Sequence, residues 1–318
     1  MRKLVVDLNN KPCDRWVVDG DFKQAIEELL EYYLKDLGFD DDYLGGMGDL
    51  LTVGIPEEYL GELKGISDKT QIHLNRVVAG NLYYDFMKMV IGCTAFSAPT
   101  GEGPLHARNL DWLSTGSTLS RLTLITEYIN GPQGTFSTIG WSGIVGALSG
   151  VADNRFSITL NAALSNDKNE SGIPVAFLIR DVLQNVSTFV EAVGILSTTT
   201  IPCDCLLLVT GLTNDECVVI ERTPSRFAQR WAKDGVVTVT NDFINLKVSA
   251  DKHIPDNELV ASSCGRFNRI CELLQDKPKD ADECMAYLSD SKVQMDITEQ
   301  QMVFHARSGA VLFQGKGY

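Results

Sequence analysis

The chain holds only four histidines in 318 residues, His73, His106, His253 and His305, and no two of them sit at metal-ligand spacing. It also lacks a glycine-rich phosphate loop. Metal-dependent and nucleotide chemistry therefore have no motif to rest on, and no cofactor and no metal is expected. Basic residues are scarce as well. Against 42 Asp and Glu there are 28 Lys and Arg, a net charge of -14, with no basic stripe and no aromatic-basic interleaving. That balance disfavours nucleic acid and anionic membrane surfaces as partners. No run of about twenty apolar residues is present to span a bilayer. The apolar stretch after Met1-Arg2-Lys3 lasts only from Leu4 to Val6, too short for the core of a signal peptide. The expected location is cytoplasmic, although a trimmed secreted chain would read the same. Internal repeats and low-complexity tracts are absent.

Of the eight cysteines, Cys203 and Cys205 alternate with Asp204 beside Leu206-Leu207-Leu208-Val209, which reads as one face of a strand rather than a metal pair. With no oxidising compartment indicated, all eight are expected as free thiols.

What is present suits a large packed core, since 44% of the residues are hydrophobic. Residues 21–38 place Phe22, Ile26, Leu29, Leu30, Tyr33, Leu34 and Leu37 at helical spacing, and the Asp/Gly-rich stretch 38–49 reads as a loop. Helices are expected over 56–67 and 69–89, then strands and hairpins from 93 to 161. Two helices over 174–196 meet near Asn185-Val186-Ser187. Strands return over 203–242, helices over 267–274 and 280–289, and a hairpin over 301–313.

Cys93 is the best candidate for chemistry. A free thiol is mostly protonated at neutral pH, so a catalytic cysteine needs a cation or a base beside it. The turn-rich residues Ala98 to Pro104 let a strand from Cys93 fold back as a hairpin, which brings Arg108 and Asp111 close. Arg108 can be the cation, and Asp111 is expected to hold its guanidinium by a two-point salt bridge. Spacing alone leaves the plainer reading ahead, because a cysteine among apolar residues is usually packing and an Arg/Asp pair usually a surface contact.

Cys93-Thr94-Ala95, followed by Ala107-Arg108-Asn109-Leu110-Asp111-Trp112, resembles the start of the catalytic subunit in the acid ceramidase and N-acylethanolamine acid amidase family, a branch of the choloylglycine hydrolase type of N-terminal nucleophile hydrolases. The opening segment Val5 to Trp16, with Pro12, Arg15 and Trp16, is similar to that family's, as are Trp141 to Asn161, Thr240-Asn241-Asp242-Phe243 and Ser262 to Phe267. The resemblance implies an α+β fold, a four-layer αββα sandwich, preceded by a mostly helical N-terminal segment. It implies self-cleavage between Gly92 and Cys93, giving a small fragment 1–92 and a catalytic domain 93–318 that stay together as a heterodimer; homo-oligomer formation is left open. The freed α-amine of Cys93 would act as its own base. Asn161 and Asn241 match the positions facing the oxyanion, and Arg266 a second arginine near the nucleophile; on local pattern Arg266 is equally a helix-start residue facing solvent.

The substrate so implied is a small-molecule N-acyl amide, an N-acylethanolamine or a ceramide-like lipid. Bile-salt hydrolase or penicillin V acylase type activity is an alternative, and a degenerate lipid-amide binding protein is one from another class. One position departs from the pattern: Ala162 stands where the lipid-amidase branch has an acidic residue.

Overall fold

A computed structural model describes residues 2–87, 91–167, 169, 171–248 and 258–316. His253 and the expected helical residues 88–89 lie outside the described residues.

The first strand, β1 (Arg2–Asp7), leads into helix α1 (Gly20–Leu37). Asp19 opens that helix by accepting from the Phe22 N–H at 3.0 Å, and Gly38 ends it in the left-handed region at φ 67°. The expected loop over 38–49 contains instead a short helix, α2 (Asp41–Met47). Asp40 caps it through the Tyr43 N–H at 2.8 Å, and buried Leu44 anchors it. Helix α3 (Glu57–Thr70) runs three residues past its expected end, because the chain turns only at Gln71, φ 63°. Two short helices, α4 (Leu74–Asn81) and α5 (Tyr83–Met87), then replace the single long helix expected.

From there the chain builds two sheets. Strands β2 (Ile91–Thr100) and β3 (Gly103–Trp112) form the expected hairpin. After the one-turn helix α6 (Thr118–Arg121) come β4 (Thr123–Ile129), β5 (Phe136–Trp141), β6 (Ser149–Ala152) and β7 (Phe156–Asn161). Helices α7 (Val175–Asn185) and α8 (Phe189–Thr198) meet at the expected junction. Then follow β8 (Cys205–Thr210), β9 (Cys217–Arg222), β10 (Phe227–Trp231) and β11 (Val237–Val239), helices α9 (Glu258–Leu273) and α10 (Ala281–Leu288), and the closing hairpin β12 (Thr298–His305) and β13 (Ala310–Gly315).

The larger sheet has the order β1-β4-β5-β6-β7-β8-β9-β10, and the smaller β11-β2-β3-β12-β13. All neighbours are antiparallel except β1, which joins β4 in parallel. Packing assigns the layers. Phe156, Ile158, Leu207 and Val218 share a core with α1, α4, α7 and α8. Ala95, Val237 and Val239 meet Leu206, Leu208 and Val219 between the sheets, as Met302 and Phe304 meet Ile139 and Val151. On the far side Phe96, Ala107 and Val303 pack against Ile270, Leu274 and Leu288 of α9, α10 and their flank. The result is helix, sheet, sheet, helix, the four-layer sandwich expected. Residues before position 93 are not an appendage, for β1 belongs to the larger sheet and α1, α3 and α4 contribute to its core.

Candidate active site

Side chains alternate along a strand, so the β2–β3 register decides which groups can meet. Cys93 lies opposite Leu110 and Ala95 opposite Arg108, which puts the Cys93 thiol and the Arg108 guanidinium on the same face. Arg108 Nη2 donates to Cys93 Sγ at 3.3 Å. The same guanidinium donates to the Leu160 carbonyl, to the Leu148 carbonyl at 3.3 Å and to Ser149 Oγ, which fixes it in place. The thiol is fully buried, 3.7 Å from the Leu160 carbonyl oxygen. Burial pushes its pKa up from the ordinary thiol value, and Arg108 opposes that rise.

The expected two-point bridge between Arg108 and Asp111 does not form. Three positions apart on a strand, the two side chains leave opposite faces of β3. Asp111 shares its face with Thr94 and Asn109, and its Oδ2 lies 3.7 Å from Arg266 Nη1. Its Oδ1 accepts from Thr298 Oγ1 at 2.6 Å, while Oδ2 has no hydrogen-bond partner among the described residues. Burial raises the pKa of this carboxyl; Arg266, Thr298 and Arg108 hold the rise down.

Arg266 sits inside α9, buried rather than facing solvent at a helix start. It donates to Thr94 Oγ1 at 2.8 Å, to the Cys93 carbonyl at 2.5 Å and to Asn241 Oδ1 at 2.9 Å. Asn241 Oδ1 also accepts the Cys93 backbone N–H at 3.1 Å, and its Nδ2 donates to the Ala162 carbonyl at 2.9 Å. Two donors on one atom and a carbonyl on the other fix the orientation of this amide. Asn161 Nδ2 faces the carbonyls of Val239 at 3.2 Å and Thr240 at 2.9 Å, and its buried Oδ1 is unpartnered among the described residues.

All six candidate side chains thus gather at one end of the β2–β3 hairpin, on both of its faces. Thr94, Ser149, Ser262, Ser263 and Thr298 complete the network and were not singled out from sequence. Ser262 and Ser263 carried a signal, since they precede Arg266 by four and three residues and so share its side of a helix. Ser149 and Thr298 carried none, because only tertiary packing brings them near.

A largely aromatic pocket is lined by Tyr33, Tyr83, Tyr84, Trp112, Trp141 and Leu148, and the Leu148 carbonyl ties it to Arg108. Its volume of about 20 Å³ is room for roughly one water. Among the described residues no group of three or more His, Cys, Asp or Glu could hold a metal ion, and no helix is long and apolar enough to cross a membrane.

Residues 99–305 match the family model described as acyl-coenzyme A:6-aminopenicillanic acid acyl-transferase. The N-acylethanolamine-hydrolyzing acid amidase of Caenorhabditis elegans is 26% identical over 262 residues, covering 76% of this chain and 71% of that protein. Acid ceramidase of Balaenoptera acutorostrata scammoni is 29% identical over 252 residues, 68% of this chain and 62% of that one. Acid ceramidase of Bos taurus is 30% identical over 192 residues, 52% of this chain and 48% of that one. The chain therefore spans 71% of the nematode protein and about half to two thirds of these ceramidases. The solved structure of the C. elegans N-acylethanolamine-hydrolyzing acid amidase ortholog superimposes with a TM-score of 0.54 at 22% identity, over 67% of this chain and 92% of that one, and shows the shared N-terminal nucleophile hydrolase fold. With two thirds of its length in the family model and these relatives, the chain belongs to the acyl-coenzyme A:6-aminopenicillanic acid acyl-transferase family, in its acid ceramidase and N-acylethanolamine acid amidase branch, and is an enzyme acting on amides.

Proposed function

We propose that this chain is a self-cleaving cysteine amidase that hydrolyses the linear carbon–nitrogen bond of an N-acyl amine, an N-acylethanolamine or a ceramide-like lipid, through a thioester. One observation carries the reading: the thiol and the nitrogen of Cys93 each have a dedicated side-chain partner, Arg108 Nη2 at 3.3 Å and Asn241 Oδ1 at 3.1 Å. A cysteine used only for packing needs neither.

Self-cleavage begins with attack of Sγ on the Gly92 carbonyl carbon. The peptide bond to the Cys93 nitrogen breaks, that nitrogen takes the thiol proton, and water hydrolyses the resulting thioester to a Gly92 carboxylate. The new α-amine has an ordinary pKa near 7.7 to 8.0, so it can take the thiol proton at neutral pH where a peptide nitrogen cannot. In turnover the thiolate attacks the substrate carbonyl, the amine returns the proton to the leaving nitrogen, and water releases the acid. We rank the two asparagines by the hydrogen bonds each has already committed. Both N–H groups of Asn161 face backbone carbonyls, so it holds the end of β11 in place; Asn241 commits one N–H to Ala162, and its second is the better candidate for the oxyanion.

The departure at position 162 is mild in this frame. It is the backbone carbonyl of Ala162 that Asn241 uses, and any side chain supplies that group. We place the acyl chain toward the aromatic pocket, whose volume of about 20 Å³ means that Tyr83 and Tyr84, on the N-terminal side of the cut, would move to admit it. The fragments stay associated through β1 and the shared core.

A denaturing gel at neutral and acidic pH tests the reading, followed by mass spectrometry of products from a panel of N-acyl amides. Expected are fragments of 92 and 226 residues, from cleavage of 318 after Gly92, and activity only in cleaved protein. A single band under every condition, or full activity in uncleaved chain, refutes it. Release of taurine or glycine from bile-acid conjugates in preference to fatty amides would move the substrate to the alternative class.

A further inference from the structure

Asn241 is the joint of the site, since its one carbonyl oxygen receives both the Cys93 nitrogen and Arg266. It lies beyond the end of β11 at Val239, outside the sheet ladder that would otherwise fix it. What holds its backbone is Ser263. The Asn241 N–H donates to Ser263 Oγ at 3.0 Å; the hydroxyl, fully buried, also lies 3.0 Å from Thr240 Oγ1 and 2.6 Å from Asp242 Oδ2. A serine hydroxyl has one proton to give. The short contact to a carboxylate takes it, so Thr240 donates to Ser263 and the hydroxyl is fully used: two bonds accepted, one given. Three consecutive residues at the end of β11 are thereby fastened to one atom on α9.

Arg266 follows Ser263 by three residues and projects from the same side of the helix. Helix α9 therefore grips Asn241 twice, by its backbone through Ser263 and by its side chain through Arg266. From the other flank buried Glu221 accepts the N–H groups of Ile244, Asn245 and Leu246 at 2.7 to 3.1 Å, which pins the loop that follows.

We infer that Ser263, oriented by Asp242, is a positioning residue that sets Asn241 against the nitrogen of Cys93. This rests on the amidase reading above and adds to it a residue that touches neither substrate nor nucleophile. Removing the hydroxyl leaves the Asn241 N–H without its partner and lets Asn241 drift, and misplacement by about 1 Å costs on the order of 100-fold in rate.

The test compares Ser263→Ala, Ser263→Thr and Asp242→Asn with the unaltered chain. Expected for Ser263→Ala are self-cleavage and kcat slower by about 10- to 100-fold with KM within about twofold, and a shift in the acid limb of the pH profile, since Asn241 Oδ1 contacts the nitrogen that titrates. Ser263→Thr restores a hydroxyl and most of the rate, while Asp242→Asn gives an intermediate loss. Rates within twofold of the unaltered chain for folded Ser263→Ala overturn the inference, as does a loss confined to KM. A crystal structure of Ser263→Ala decides the matter independently of turnover: Asn241 Oδ1 displaced from the Cys93 nitrogen supports it, and an unmoved contact overturns it. An unaltered chain that neither cuts itself nor cleaves any N-acyl amide defeats the amidase reading instead, and leaves the structural criterion to judge Ser263.

Discussion

Among the described residues, the buried arginine and carboxylate cluster around Glu62 and the one around Cys93 are finished differently. At the first, Glu62 accepts from Arg15 at 2.8 Å and from Trp16 Nε1 at 2.8 Å and lies 3.6 Å from Arg180. Arg15 also meets Glu58 and the carbonyls of Asn10 and Leu8, and the Arg180 guanidinium lies 3.8 Å from the Tyr128 ring centre and 4.7 Å from that of Phe136. The Glu62 carboxylate has both oxygens engaged. Among the described residues both clusters leave buried atoms without a hydrogen-bond partner, but of different kinds: at the first these are Nε and Nη2 of Arg180, whose guanidinium lies over aromatic rings, and at the second they are Arg108 Nε and two acceptors, Asp111 Oδ2 and Asn161 Oδ1. The spare N–H groups of Arg180 have aromatic faces to rest on, whereas unpartnered acceptors beside a buried thiol have nothing, and such acceptors mark a place kept for chemistry rather than for cohesion. The first cluster is read as structural, the second as the site.

That contrast can be broken by experiment. Cys93→Ala should abolish both self-cleavage and turnover while leaving the melting temperature within a few degrees, checked by gel, product assay and calorimetry; residual cleavage at Gly92 would remove the cysteine from its role. Glu62→Ala should do the reverse. Leaving two buried guanidinium groups short of a partner costs about 3 to 5 kcal/mol of stability, seen in urea unfolding, with kcat per folded molecule unchanged. Arg108→Met should lower kcat by about 10² to 10³-fold with a smaller loss of stability, and a variant that loses stability alone would place Arg108 with the structural cluster.

An effect confined to acid pH concerns His106, which shares the face of β3 with Arg108 and bonds to Ser157 Oγ at 2.9 Å and Thr159 Oγ1 at 2.7 Å. Burial, with Arg108 nearby, pushes its pKa down to about 3. Its folded value lies below the unfolded one near 6.5, so its contribution is intact above about pH 6.5 and is lost as pH falls toward 3, by roughly 1.4 kcal/mol per unit. His106→Gln should flatten stability against pH in that window, measured by urea unfolding from pH 7 to 4; an unchanged slope would show that His106 does not titrate as its burial dictates.

The hairpin that joins Cys93 to Arg108 was legible because turn residues fall between two β-rich runs, a local signal. The partner of Asp111 was misread, although strand parity was there to correct it: positions 108 and 111 differ by an odd number. Helix α2 was missed because Gly45 and Gly46 suggest a loop, whereas the Asp40 cap and the burial of Leu44 decide the matter. Arg266 could be placed on a helix but not inside the protein, for nothing local says which face of α9 meets β2. Long-range partners such as Ser149 and Thr298 depend on sheet order, which one sequence does not display.

Strand β2 begins at Ile91, two residues upstream of the nucleophile, so the bond proposed to break lies within a paired strand, with Gly92 opposite Asp111. A chain cut inside a ladder keeps its two ends at high effective concentration, and resealing would compete with separation. Here the cut would also create a carboxylate at Gly92, set against the carboxyl of Asp111 across the ladder. Like charges facing each other in a buried pair repel. That repulsion would act on the Gly92 end alone, drawing it out of the ladder while Cys93 stays paired with Leu110.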